Sequence, residues 1–192
     1  VQGIELKPGD VMLLPTQYTE VYTIIQGVLG GPITSLLPRI LNEPYLHAEI
    51  YIGSGFSMAA WTSGIHVHKY PLSVQMKFDF FRHKNDKASE AIKDLMVTEF
   101  VNYLNNEPVK YLNKRYDFST LFYNTIAELT QVLGYEQIIE TKTPRFDTPE
   151  IMICSELIAR MYQDAGYDLK VGNPEWVSPA DLAESPMLYK VI

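Results

Sequence analysis

HAEIYIGSGFSMAAWTSGIHVHKYP, residues 47–71, reads as three short strands in succession. His47 to Gly53 is rich in β-branched and aromatic residues and stops at a glycine. Phe56 to Trp61 follows after a short glycine-containing turn, and Gly64 to Tyr70 is the third run. Turns this short join antiparallel neighbours, so the stretch predicts an antiparallel meander. Upstream, LKPGDVMLLP (Leu6 to Pro15) holds a turn at Pro8-Gly9-Asp10 and then a buried strand, Val11 to Leu14. Downstream, Val74, Met76, Phe78 and Phe80 alternate with mostly polar residues, a period of two that predicts one more half-buried strand.

After residue 85 the period changes. Ala88, Ala91, Ile92, Leu95, Met96 and Leu104 recur at helical spacing, with Asn85-Asp86 as the start signal. Phe118 to Leu133 reads as a further helix with Gly134 as its cap, and the Pro-bounded stretch 135–150 reads as a loop. Cys154 to Ala165 is a helix stopped by Gly166. Ser178-Pro179 gives an N-cap followed by a first-turn proline. Residues 19–41 are apolar and irregular. They read as two short helical pieces around Gly30-Gly31-Pro32, packed on the core, or else as a flap or lipid-facing patch beside a site. Strands grouped apart from helices give an α+β class, and the length of 192 residues fits one domain over 1–192.

A hydrophobic fraction of 46% and a charged fraction of 20% are those of an ordinary globular chain with a sizeable core. The net charge of −7, with no basic stripe, disfavours nucleic acid and repels anionic headgroups. Membrane contact is expected only through 19–41, if at all. No apolar run is long enough to span a bilayer and no signal peptide is visible. The start at Val1 in place of Met is read as processed or trimmed, which leaves an export signal open. One cysteine excludes an intramolecular disulfide and makes a structural zinc site a poor expectation. No cofactor and no metal are expected. Oligomeric state is not legible.

That single cysteine, Cys154, follows Ile151-Met152-Ile153 and opens a helix. A buried free cysteine is more often a small hydrophobe than a reagent. A helix N-terminus, however, carries partial positive charge that favours thiolate. A thiolate nucleophile needs a base within hydrogen-bond reach, and histidine titrates in the useful range. His47, which opens the first strand of the meander, is the candidate. His66 and His68 alternate with Ile65 and Val67 and read as solvent-facing, and His83 reads as a surface residue beside Arg82.

LKPGDVMLLP, then HAEIYIGSGFSMAAWTSGIHVHKYP, then ICSELIARMYQDAGY followed by WVSPADLAES, together resemble the circularly permuted NlpC-type papain-like cysteine peptidases (YiiX/YaeF-like proteins). RYDFS at Arg115 to Ser119 resembles a further element of that group. The resemblance spans nearly the whole chain and rests on the order and spacing of its pieces. It implies a papain-like core in permuted order, the histidine strand first and the cysteine helix last. It also implies a hydrolase of amide bonds in peptides, often cell-wall peptides, with Cys154 as nucleophile and His47 as general base. The backbone N–H of Cys154 would help hold the oxyanion.

The resemblance breaks at one position. Members carry a third polar residue, commonly Glu or His, on the strand after the histidine strand, and here Met58-Ala59-Ala60 places Ala59 there. Glu49 is one substitute, since residues two apart leave the same face of a strand. A solvated or salt-bridged Glu49 is the alternative. His66 or Thr62, a water or a backbone carbonyl are others. Glu156 reads as structural, complementing the helix dipole. Tyr45 and Tyr116 are candidates to line the cleft, Trp61 is a core residue or a cleft wall, and the stretch 135–150 is a candidate lid. The acidic chain suits a peptide or small substrate bearing a free amine. Two other readings stay open: a lipid or thioester acyltransferase on the same core, in which 19–41 would hold an acyl chain, and a binding module that has lost catalysis.

Overall fold

A computed structural model of the chain describes residues 5–18, 44–61, 64–112, 115–116 and 151–191. The expected helical pieces in 19–41, the helix 118–133, the stretch 135–150 and Thr62 lie outside the described residues. What is described is a mixed α+β fold: a six-stranded antiparallel sheet with helices packed on it. The strands are β1 (Val11–Pro15), β2 (Tyr45–Gly53), β3 (Phe56–Trp61), β4 (Gly64–Lys69), β5 (Asp79–His83) and β8 (Leu188–Lys190), in the spatial order β4-β3-β2-β1-β5-β8. A separate two-residue parallel ladder pairs β6 (Arg115–Tyr116) with β7 (Ile151–Met152). The helices are α1 (Leu72–Gln75), α2 (Lys87–Leu104), α3 (Cys154–Asp164) and α4 (Pro179–Glu184).

β1 is buried on both faces, because its alternate side chains enter two different cores. Val11 and Leu13 point to the helix side, where they meet Ala48, Ile50, Met58 and Phe81 of the sheet and Ile92, Leu157, Ile158 and Met161 of the helices. Met12 and Leu14 enter a second cluster with Leu46, Tyr51, Phe78 and Phe80. The short apolar run VMLL is therefore a central strand, not an alternating one. α3 is the innermost helix. Leu157, Ile158 and Met161 are fully buried, each contributing about 2 kcal/mol of apolar burial. The Tyr162 hydroxyl donates to the Gly9 carbonyl at 2.5 Å. That contact ties α3 to the turn before β1, where Gly9 adopts a φ of 89° and a Cβ would press on Ile92.

The strand expected over 74–80 is corrected. Residues 72–75 form α1 after Pro71, whose carbonyl accepts from the N–H groups of Val74 and Gln75, and β5 begins only at Asp79. Pro71 fixes the entry to a helical turn, and this local chemistry overrides the period-two pattern. Met76 is consequently exposed, while Phe80 and Phe81 are both buried, on opposite faces of β5. α2 buries Ala88, Ile92 and Met96 as the spacing predicts, but Leu104 is exposed because the last turn runs past the core. Asn85 supplies the start signal, accepting from the Lys87 N–H at 3.1 Å, whereas Asp86 makes no side-chain cap. The Ser178 cap of α4 is present, with its hydroxyl accepting from the Asp181 N–H.

Asp10 does more than cap its turn. Besides accepting from the Lys7 N–H, it takes a two-pronged ion pair from Arg82 at 2.7 and 2.8 Å, bridging the turn before β1 to β5. Asp10→Ala is expected to cost about 2 kcal/mol, since a buried charge-assisted pair is lost while Arg82 keeps partial access to water. Urea denaturation checks this, and a change under 0.5 kcal/mol (about the scatter of surface substitutions) would show that the pair is idle. His83, read as a surface residue, is buried: its ring stacks on Tyr162 and meets Tyr167 edge-on. The charged neighbours Arg82 and Lys84 hid an inward-facing position of β5.

Candidate active site

β7 leads straight to the site. Ile153 adopts an extended N-cap conformation and Cys154 is the first residue of α3. Glu156, in the first turn, accepts from Arg160 Nε at 2.7 Å and from the Ile153 N–H, which is the structural role read for it. The thiol is nearly buried and packs within the main core.

A split in the sheet positions the partner of Cys154. Among the described residues, β2 and β3 pair from Gly53↔Phe56 only as far as Ile50↔Met58, while β3 stays paired to β4 up to Trp61↔Gly64. Residues 47–49 of β2 therefore have β1 on one side, through Leu14↔His47 and Met12↔Glu49, and an opening on the other. Tyr51 donates its N–H to Asp10 on the β1 side. By the alternation of an antiparallel strand, His47 and Glu49 also bond toward β1, and the N–H of Ala48 points into the opening. The sulfur of Cys154 sits there and accepts hydrogen bonds from the backbone N–H groups of Ala48 and Ser155. His47 hydrogen-bonds to Cys154 as well.

Glu49 lies on the far side of His47. Its Oε1 is 3.2 Å from His47 Nε2, which leaves Nδ1 as the nitrogen for the thiol. The carboxylate is fully buried and held at both oxygens. Tyr70 donates its hydroxyl to Oε1 at 2.7 Å, Ser57 donates to Oε2 at 2.6 Å, and His68 Nε2 lies 3.0 Å from Oε2. Trp61 meets the rings of His47 and His68 edge-on, with centroids 6.0 and 4.8 Å away.

Burial alone would neutralise all three groups. It lowers the pKa of His47, but the charge of Cys154, the hydrogen bond to it and Glu49 behind outweigh this, and His47 is raised well above its ordinary range. Burial likewise pushes the Cys154 thiol up, but His47 and the two backbone N–H groups bring it down below its ordinary value. Glu49 is held far below the usual carboxylate range by His47 and His68 despite its burial. Burial and the charge of Glu49 push the Tyr70 hydroxyl far up, so it remains a donor. The arrangement favours thiolate, imidazolium and carboxylate in a row.

Cys154, His47 and Glu49 are thus brought together. Of the alternative orienters, His66 is exposed, and Ala59 is buried with no polar group to offer. His68, read as solvent-facing, instead turns onto Glu49, a correction that follows from the register Ser57↔His68. Tyr45 points elsewhere. Its hydroxyl donates to Asp79 at 2.9 Å, and it lines an open recess of about 430 Å³ with Pro15, Thr16, Gln17, Pro44 and Lys190, in which neither Cys154 nor His47 takes part. Tyr116 is described only by its backbone pairing with Met152, so a cleft-lining ring there lies outside the described side chains. Ser57 and Tyr70 were not legible as site residues. Their only signal is the period-two placement of Ser57 on the face shared by Ala59 and Trp61.

No protein-family model matches the chain, and no curated protein matches it by sequence. Among the described residues no helix is long and apolar enough to cross a membrane.

Proposed function

We propose that the chain is a cysteine hydrolase of amide bonds in peptides, built on a papain-like core in circularly permuted order. The observation that supports this most directly is the line Cys154–His47–Glu49 at the start of a buried helix, with the imidazole between the thiol and a carboxylate oxygen 3.2 Å from its Nε2. The resemblance to the permuted NlpC-type peptidases agrees with it in element order. The one departure, Ala59, is made good by Glu49 on the histidine strand itself.

In this reading the Cys154 thiolate attacks the amide carbonyl, forming a C–S bond. The N–H of Cys154, in the first turn of α3 where the helix supplies no acceptor for it, holds the oxyanion. As the C–N bond breaks, His47 gives its Nδ1 proton to the leaving amine. A water then attacks the thioester while His47 takes its proton. The acid leaves, and Cys154 returns as thiolate beside imidazolium. Glu49 touches only His47 in this scheme: it fixes the ring and offsets its charge, the role of the third member of a triad. The net charge of −7 favours a peptide that carries a free amine.

The test is the pH dependence of Cys154 alkylation by iodoacetamide in the full chain. The expected midpoint lies well below the free-thiol value of about 8.5. A panel of short peptide amides, with and without free amines, follows, using Cys154→Ala as the blank. An ordinary midpoint would sink the hydrolase reading in favour of a binding module, and turnover of esters but not amides would move it to acyl transfer.

A further inference from the structure

Glu49 is over-provided for a residue that only faces a histidine. A carboxylate has two oxygens to satisfy, and here each receives a donor in addition to, or opposite, His47. Oε1 accepts from Tyr70 and lies 3.2 Å from His47 Nε2, and Oε2 takes Ser57 and His68. The donors come from the second and third strands of the meander and the residue just past it, while Glu49 itself sits on the first. Rotation of the carboxylate off His47 would break at least two of these contacts at once. His68 adds a second observation. Its Nδ1 is buried with no partner, so the ring satisfies Nε2 at the expense of its other nitrogen. A ring held this way carries its hydrogen on Nε2, aimed at the carboxylate, and Trp61 keeps it apart from the ring of His47.

We propose that Ser57, His68 and Tyr70 are positioning residues that lock Glu49 against His47 and so keep the Cys154–His47 pair as thiolate and imidazolium. The proposal rests on the hydrolase reading and deepens it. It gives Glu49, which stands in for the polar residue missing at Ala59, a support of three donors acting at one remove. Each donor acts through Glu49 and touches neither the thiol nor a substrate. The groups facing Glu49 are His47 of β2, Ser57 of β3, His68 of β4 and Tyr70 after β4. Cys154 of α3 faces His47.

The experiment measures the pH profile of Cys154 alkylation and the urea midpoint for wild type, Tyr70→Phe, His68→Leu and His68→Gln, each as the full chain. Loss of one donor to a charged acceptor is expected to raise the labelling midpoint by about one pH unit in Tyr70→Phe and in His68→Leu. His68→Gln, which keeps an N–H donor, retains most of the wild-type profile. In a Glu49→Gln background, Tyr70→Phe adds no further shift. Stability alone would not produce this pattern, since a merely structural role moves the urea midpoint and leaves the labelling profile in place. Should His68→Leu fail to fold, Tyr70→Phe decides, because it removes a single hydroxyl. A low wild-type midpoint left unmoved by Tyr70→Phe and His68→Leu overturns the proposal while the hydrolase reading stands. An ordinary midpoint in wild type removes that reading, and the proposal with it.

Discussion

Glu49→Leu is expected to destabilise the fold by about 3–5 kcal/mol, the range found when one partner of a buried ion pair is removed. The leucine fills much of the same space, so packing is not the main loss. The imidazolium of His47 is left without its carboxylate in a site that is nearly dry, and the hydroxyls of Ser57 and Tyr70 and the N–H of His68 lose their acceptor. Glu49→Gln keeps an acceptor oxygen without the charge, and about half of the loss is expected. Urea denaturation of both variants is the check. The pH dependence adds a signature. Glu49 is lowered from an ordinary 4.5, so its contribution is present above about pH 4.5 and is lost as pH falls toward the folded value. Wild type therefore loses stability on acidification below pH 4.5 more steeply than Glu49→Leu. A Leu variant within 1 kcal/mol of wild type (an effect about the size of an average substitution) would mean that Glu49 is not the charged partner of His47.

His47→Ala has the largest expected effect on Cys154. Without the imidazolium, burial dominates and drives the thiol above its ordinary value. At pH 6 the ionised fraction falls, and the alkylation rate is expected to fall by about tenfold or more, less than the ionised fraction does because a low-pKa thiolate is the weaker nucleophile. Stability changes in shape as well. His47 is raised from 6.5 to about 10, so its contribution is complete below pH 6.5 and is lost as pH rises toward 10. Cys154 is lowered from 9.0, so its contribution is complete above pH 9 and is lost as pH falls toward its folded value. Between pH 6.5 and 9 one loss offsets the other. Wild-type stability is expected to be flat across that window and to fall on both sides, whereas in His47→Ala the fall below pH 6.5 disappears, because the thiol is then protonated in the folded and the unfolded chain alike up to about pH 9. Urea midpoints from pH 5 to 10 show it directly. A wild-type curve that slopes through the window would exclude the ion pair.

The meander, the strand Val11–Leu14, the helix opening at Cys154 and the Ser178 cap were all legible in the chain, because each is a local matter of turn residues, side-chain period and capping chemistry. The pairing of Glu49 with His47 was legible only as one alternative among several: residues two apart on a strand share a face, but that does not decide whether they meet. One misreading was local: Val74 and Met76 lost their strand to the helical turn after Pro71, while Phe78 and Phe80 kept a common face in the second core. The other two depended on neighbours distant in sequence. His83 carried the signature of a surface residue and was drawn inward by Tyr162, 79 positions further on. His68 looked solvent-facing until the β3–β4 register set it opposite Ser57 and beside Glu49. Sequence alone determined which residues could supply a nucleophile, a base and a carboxylate. The sheet decided whether they meet, by parting β2 from β3 beyond Ile50 and leaving an opening into which the sulfur of Cys154 fits. That parting is a property of strand pairing between distant segments, and no window of the chain contains it.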